Sequence, residues 1–169
     1  MKVLIIGLGN IGFTYDLKKK KMHLTHSNAF FFNKNFNLIG GIDKNKKKLN
    51  LFKKKYKVFG FLKIKDALKN LDPDIFVIST NTSTHLKIIK EIFSNKVQNK
   101  ILLCEKPCGN SLKEIEQIKK ICKKNNSKIF VNYMRSSMHG VNELIEFCKK
   151  DNNYFTGITY YNKSILNEA

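Results

Sequence analysis

Met1-Lys2-Val3-Leu4-Ile5-Ile6-Gly7-Leu8-Gly9-Asn10-Ile11-Gly12 is a short apolar run that passes directly into G-x-G-x-x-G. An apolar run ahead of three glycines at this spacing opens a dinucleotide-binding βαβ unit, and each glycine has its own physical task. Gly7 permits the tight turn off the strand. Gly9 has no Cβ, so a pyrophosphate can approach the backbone. Gly12 lets the following helix pack close to the strand. The free N–H groups and positive dipole end at that helix start, around Asn10 and Ile11, favour phosphate charge. The competing reading is a glycine-rich turn without a ligand, and the strand placed directly before the turn weighs against it.

Outward from this turn, apolar runs alternate with longer amphipathic stretches. The pattern predicts strands at Lys2–Ile6, Leu38–Ile42, Val58–Phe61, Ile75–Ser79, Ile101–Cys104 and Lys128–Asn132. Helical patterns lie between them at Asp43–Tyr56, Ile64–Asn70, Ser83–Phe93 and Ser111–Lys124. This alternation implies an α/β fold, a doubly wound parallel sheet. Ser83 and Ser111 are predicted N-caps, and Glu114 completes a capping box with Ser111. Leu112, Ile115, Ile118, Ile121 and Cys122 recur at helical spacing and mark an expected buried face. Residues 1–132 thus form a dinucleotide-binding domain. Residues 133–169 read as the start of a second α+β domain, with a helix at Val141–Lys149 and a strand at Tyr154–Tyr161.

Asp43 ends the second predicted strand, where a carboxylate accepts from both adenosine ribose hydroxyls and repels a 2′-phosphate. The cofactor is therefore read as NAD, and the neighbouring Lys44 leaves NADP open. Asp43 also stands where a helix N-cap would. About 30 residues separate Gly12 from Asp43, against roughly 20 for the usual fingerprint. The excess is assigned to a loop inserted at Thr14–Leu24, near the cofactor phosphates. Its lysine run is read as a solvated excursion, with attraction of an anionic substrate or cofactor as the alternative.

A chain of 169 residues with 42% hydrophobic content suits an ordinary domain with a real core. No run of 18 apolar residues occurs, so no membrane span is expected, and a cytoplasmic location is inferred. The net charge of +19 raises nucleic-acid binding, but of 32 basic residues only Arg135 is an arginine. Base readout and bidentate phosphate clamps lean on arginine, and the lysines are spread over every polar stretch. Solvated helix faces explain them, and no specific nucleic-acid partner is expected. Cys104, Cys108, Cys122 and Cys148 form no C-x-x-C pair and are read as free thiols. His23 and His26 have a spacing that suits a metal, but no carboxylate or cysteine motif completes a site, so none is assigned.

Two polar segments follow predicted strands: Thr80-Asn81-Thr82-Ser83-Thr84-His85, and Glu105-Lys106-Pro107 after Cys104. Open α/β sheets bind ligands at these carboxyl ends. A lysine beside a glutamate there can donate to a substrate oxygen, and Pro107 stiffens the turn that carries it. Taken alone, Glu105-Lys106-Pro107 is also compatible with an ordinary charged loop.

Together, the glycine turn, Asp43, Thr80 with His85, Glu105-Lys106-Pro107 and Val131-Asn132-Tyr133-Met134-Arg135 resemble the Gfo/Idh/MocA family of NAD(P)-dependent oxidoreductases. The resemblance implies a Rossmann domain with the family lysine at Lys106, beside nicotinamide and substrate. It also implies that Thr80, Asn81, His85 and Glu105 line the nicotinamide side, and that Arg135 lies at the crossing to the second domain. Asn81 departs from the proline that often follows the family threonine. Carbohydrate-like substrates and, for the full-length family, homo-oligomers are implied. Family members are about twice this long, and the chain is expected to stop as their second sheet begins, without its later acid/base residue. His139 is a poor substitute by position. An active oxidoreductase and a dinucleotide-binding fragment of little activity are the two readings carried forward, with a basic binding module a distant third.

Overall fold

The computed structural model describes residues 1–17 and 23–134, together with Glu143 and Glu146. Six strands form one parallel sheet: β1 (Lys2–Ile6), β2 (Asn37–Ile42), β3 (Phe59–Phe61), β4 (Ile75–Ile78), β5 (Ile101–Glu105) and β6 (Lys128–Asn132). Their order is β3-β2-β1-β4-β5-β6. The chain reverses its winding between β1 and β4, which opens a crevice beyond their carboxyl ends. β1 pairs in register with β4, Ile6 opposite Ile78, and β4 with β5, Ile78 opposite Cys104. The glycine turn, the Thr80 segment and the Glu105 turn therefore leave three adjacent strands at one edge of the sheet.

Alternation along the central strands sends side chains to both faces. Val3, Ile5, Leu38 and Val77 pack with Leu8, Phe13, Leu49, Phe52 and Tyr56 on the side of α1 (His26–Phe32) and α2 (Lys46–Tyr56). Leu4, Ile6, Phe76, Ile78 and Leu102 pack with Ile64, Ala67, Ile89, Ile92 and Ile118 on the other. Those partners come from α3 (Ile64–Asn70), α4 (His85–Ser94) and α5 (Leu112–Lys124). Fully burying such a side chain is worth about 1.5–3 kcal/mol. Burial of β1 and β4 on both faces is what makes their sequences continuously apolar.

Helix starts depart from the predicted caps. Asn45, not Asp43, caps α2, accepting from the N–H groups of Lys47 and Lys48 at 3.0 and 3.2 Å. Ser83 lies inside a 3-10 turn, Thr82–Thr84, and caps nothing; Thr84 precedes α4 without a side-chain capping bond. Ser111 does cap α5 through Glu114 N at 3.3 Å. The Glu114 carboxylate, however, accepts from Asn110 N at 2.8 Å, so the box closes one residue upstream of its expected partner. Ile118 and Cys122 are buried as expected, but Leu112 is 80% exposed and Ile115 40%. The first turn of α5 runs past the edge of the core, so helical spacing there finds nothing to pack against.

The chain divides into two compact units, Met1–Asn132 and Tyr133–Ala169. Glu143 and Glu146 are helical and exposed. The remainder of the helix predicted at Val141–Lys149, the strand at Tyr154–Tyr161, Arg135, His139, Cys148 and the lysines at 18–21 lie outside the described residues. Among the described residues no helix is long and apolar enough to cross a membrane.

Candidate functional site

The glycine turn is built almost entirely from backbone. Gly7 has φ +95°, a conformation that L side chains rarely adopt. Its N–H donates to Ile42 O at 2.8 Å, and its carbonyl accepts from Ser79 Oγ at 2.8 Å. Neighbouring strands thus hold the turn from both sides. A Cβ on Gly12 would lie 2.1 Å from Gly7 O, so the chain can double back this tightly only with glycine there. Gly9 differs: a Cβ would meet nothing within 4 Å. Packing does not demand glycine at Gly9, so open space in front of its backbone is left for a ligand.

After Gly9 the chain makes one wide π-type turn, Asn10–Thr14, with Thr14 N and Phe13 N both donating to Gly9 O at 3.0 and 2.8 Å. Asn10 and Ile11 are exposed on its outer side, and Gly12 is buried beneath. The helical turn ends at Thr14, where the insertion is expected, and α1 begins at His26. The insertion between them is closed by Asp16, a carboxylate buried to 1% exposure. Asp16 Oδ2 accepts from Leu24 N and Thr25 N at 3.0 and 3.1 Å, and Thr25 Oγ1 donates to Oδ1 at 3.1 Å. Thr25 then caps α1, and Ser27 Oγ donates to Gly12 O.

Gly7, Gly9, Asp43, Thr80 and Asn81 line one crevice of ≈ 470 Å³ at the switch point. Asp43 reaches back to the turn: Oδ2 accepts from Leu8 N at 2.7 Å and Oδ1 from Asn45 N at 2.7 Å. The carboxylate therefore ties the end of β2 to the glycine turn while lining the crevice. Lys44, Lys63 and Lys87 stand around the same opening. Sequence reasoning named only the first of them, because Lys63 and Lys87 arrive from separate elements.

His85 does not line this crevice. Its side chain is fully buried, with Nε2 3.0 Å from Thr80 O and Nδ1 3.3 Å from both Cys108 O and Cys104 Sγ. It ties the Thr80 segment to the residues just after Lys106. Cys104 lies under this junction, its Sγ 3.3 Å from His85 Nδ1. The neighbouring Cys104 thiol outweighs burial and brings the Cys108 thiol down to about 7, while Cys104 is pushed far up by Cys108 and by burial.

Glu105 and Lys106 lie at the end of β5, Lys106 exposed and Glu105 largely covered. Burial raises the Glu105 carboxyl. Hydrogen bonds from His26 and Asn132, the His26 charge and the Lys106 N–H more than offset it, so the carboxyl sits below its ordinary value. His26 and His23 do not share a ligand: His26 Nε2 contacts Glu105 Oε1 at 2.7 Å, and the His23 ring packs 4.7 Å from that of Phe32.

The arrangement fits a dinucleotide. A backbone cradle stands open at Gly9, and an acidic acceptor faces the crevice beside it. The family model described as an oxidoreductase family with an NAD-binding Rossmann fold, Gfo/Idh/MocA, matches residues 1–133. No curated protein matches the sequence. Among solved structures, the chain is similar to scyllo-inositol dehydrogenase from Lactobacillus casei with bound NAD(H) and scyllo-inositol, with 21% identity, TM-score 0.70, and coverage of 89% of this chain and 42% of that one. It is similar to myo-inositol 2-dehydrogenase from Lactobacillus plantarum, at 18% identity, TM-score 0.71 and coverage of 89% and 42%. The WlbA dehydrogenase from Chromobacterium violaceum, in complex with NADH and UDP-GlcNAcA, gives 18%, 0.72, 89% and 40%. These likenesses share a fold, and the chain spans only about two fifths of each relative's length.

Proposed function

We propose, on the premise that this chain belongs to the Gfo/Idh/MocA family of NAD-binding oxidoreductases, that it serves hydride transfer between nicotinamide and a hydroxyl-bearing carbon of a sugar, sugar nucleotide or polyol. The observation that carries the cofactor half is the turn itself: Gly9 faces open space, and Asp43, Thr80 and Asn81 line the same crevice. When bound, NAD supplies the hydride chemistry, and the protein supplies orientation and electrostatics.

Gly7, Gly9 and Gly12 shape the cradle, and the N–H groups around Asn10 and Ile11 meet the phosphates. Asp43 receives the adenosine ribose, and Lys44, with Lys63 and Lys87 at the same opening, leaves room for NADP. Thr80, Asn81 and Glu105 form the nicotinamide side, with His85 supporting Thr80 from within the core. Lys106 is the catalytic residue, donating to the substrate oxygen as charge develops there. Residues 1–132 form the dinucleotide domain, and residues 133–169 open the substrate and oligomerisation domain of a cytoplasmic protein.

Titration with NADH and NADPH, followed by a turnover screen against polyols and sugar nucleotides, tests this reading. NADH binding is expected, and its absence at millimolar cofactor overturns the proposal. Lys106→Ala is expected to lower turnover by about 100-fold or more, in line with loss of one oxyanion donor, with NADH affinity retained. Unchanged turnover removes Lys106 from the chemistry. A second reading, a dinucleotide-binding fragment with little or no activity, draws on the chain's span of about two fifths of its structural relatives. Robust turnover by the purified 169-residue chain excludes it.

A further inference from the structure

His26 opens α1, and Glu105 closes β5, 79 residues later. Their side chains are 10% and 13% exposed, so the 2.7 Å contact between Nε2 and Oε1 is largely shielded from water. Asn132 Nδ2 donates to the same oxygen at 2.7 Å. Asn132 is delivered by the sheet, since β5 and β6 pair with Glu105 opposite Asn132. His26 is delivered from the other direction, by the helix whose Ser27 is bonded to the carbonyl of Gly12. The ring donates to the carboxylate whether it is the neutral Nε2–H tautomer or the imidazolium. Two donors from different elements restrict a carboxylate far more than one does. Lys106 is the next residue in the chain, at the end of β5, so fixing the Glu105 side chain also fixes the turn that carries the lysine.

We propose that His26 is a positioning residue for the Glu105-Lys106 turn, coupling the helix anchored under the glycine turn to the lysine at the end of β5. Sequence reasoning weighed His26 only as half of a metal pair, because its partner is distant in the chain. The inference rests on Glu105 and Lys106 facing the nicotinamide, and it adds the residue that keeps them there. A side-chain contact of this kind on an open surface would contribute little. This one is covered, shares its acceptor with a second fixed donor and adjoins the candidate catalytic residue.

The test uses the full chain with His26→Ala, His26→Gln, Glu105→Ala and the His26→Ala/Glu105→Ala double variant. Each is measured for NADH affinity by fluorescence and for the Lys106 backbone amide resonance in the cofactor-free protein. Loss of the donor in His26→Ala is expected to weaken NADH binding by about tenfold and to shift the Lys106 amide. Glutamine reaches as far as Nε2, so His26→Gln is expected to restore the amide position and most of the affinity. In the Glu105→Ala background, His26→Ala is expected to add nothing. Multiplicative effects, a glutamine variant as impaired as the alanine, or an unmoved Lys106 amide would each overturn the proposal. If His26→Ala does not fold, His26→Gln and Glu105→Ala still decide it through the amide. If NADH fails to bind even the wild type, the nicotinamide reading falls, while the amide shifts still report on positioning.

Discussion

At the glycine turn, geometry is a property of the backbone. At the Glu105 side, it is a property of side chains gathered from far apart. Gly7, Gly9 and Gly12 act through what they lack, and their constraints span a few residues and the two flanking strands. Glu105 depends on His26 and Asn132, and the Thr80 segment depends on His85, whose partners lie in two different loops. The first end is rigid because alternatives clash. The second is rigid because several weak ties agree. A single substitution should therefore break the first end abruptly and loosen the second by degrees.

Gly12→Ala is the sharpest way to test this contrast. The added methyl would sit 2.1 Å from Gly7 O and 2.7 Å from Ser79 Oγ. Backbone must move, and a loss of about 3 kcal/mol or more is expected from urea unfolding, at the upper end of overpacking costs. A loss below about 1 kcal/mol would show that the turn yields more easily than a backbone clash allows. His85→Leu comes next. It takes the imidazole N–H away from a buried carbonyl, Thr80 O or Cys108 O according to the tautomer, and about 1–3 kcal/mol should disappear from the same measurement.

Gly9→Ala separates ligand from fold. Its φ of −75° suits alanine and the space is open, so stability should change by less than about 0.5 kcal/mol. NADH affinity should nevertheless fall by about tenfold, as the methyl occupies the pyrophosphate's approach. Equal losses in both quantities would mean that Gly9 serves packing instead. The smallest effect concerns pH. Glu105 has a folded pKa below its unfolded one. Its contribution is thus complete above the ordinary carboxyl range and is lost as pH falls through the folded value. The wild type should lose stability on acidification below about pH 5 more steeply than Glu105→Gln. Parallel curves for the two proteins would show that the His26 and Asn132 bonds do not favour the charged carboxylate.

The same contrast explains what could be read from the chain. The sheet was legible because β1 and β4, buried on both faces, are written as unbroken apolar runs. The glycine turn was legible because its constraints are local, and the long Gly12–Asp43 interval exposed the insertion by counting alone. The cap predicted at Ser83 and the alternative cap at Asp43 are not used, because several polar residues compete at each helix start and one or two residues of register decide the winner. Leu112 was misread because helical spacing tells which residues share a face, not where the core ends. His26, Lys63, Lys87 and Asp16 were missed as site or framework residues because their partners are fixed only when distant elements meet. A buried aspartate eight residues ahead of Leu24 carries no local signature in Tyr15-Asp16-Leu17.

The Asp16 clamp has an evolutionary consequence. It joins the two stems of the inserted segment through Leu24 N, Thr25 N and Thr25 Oγ1, and α1 restarts immediately behind it. With the stems pinned, doubling the length of the intervening chain would cost only about 0.6 kcal/mol in closure entropy. A lineage that lengthened or shortened the chain between these stems, or an engineer who grafted a peptide there, would keep the clamp and the start of α1 behind it.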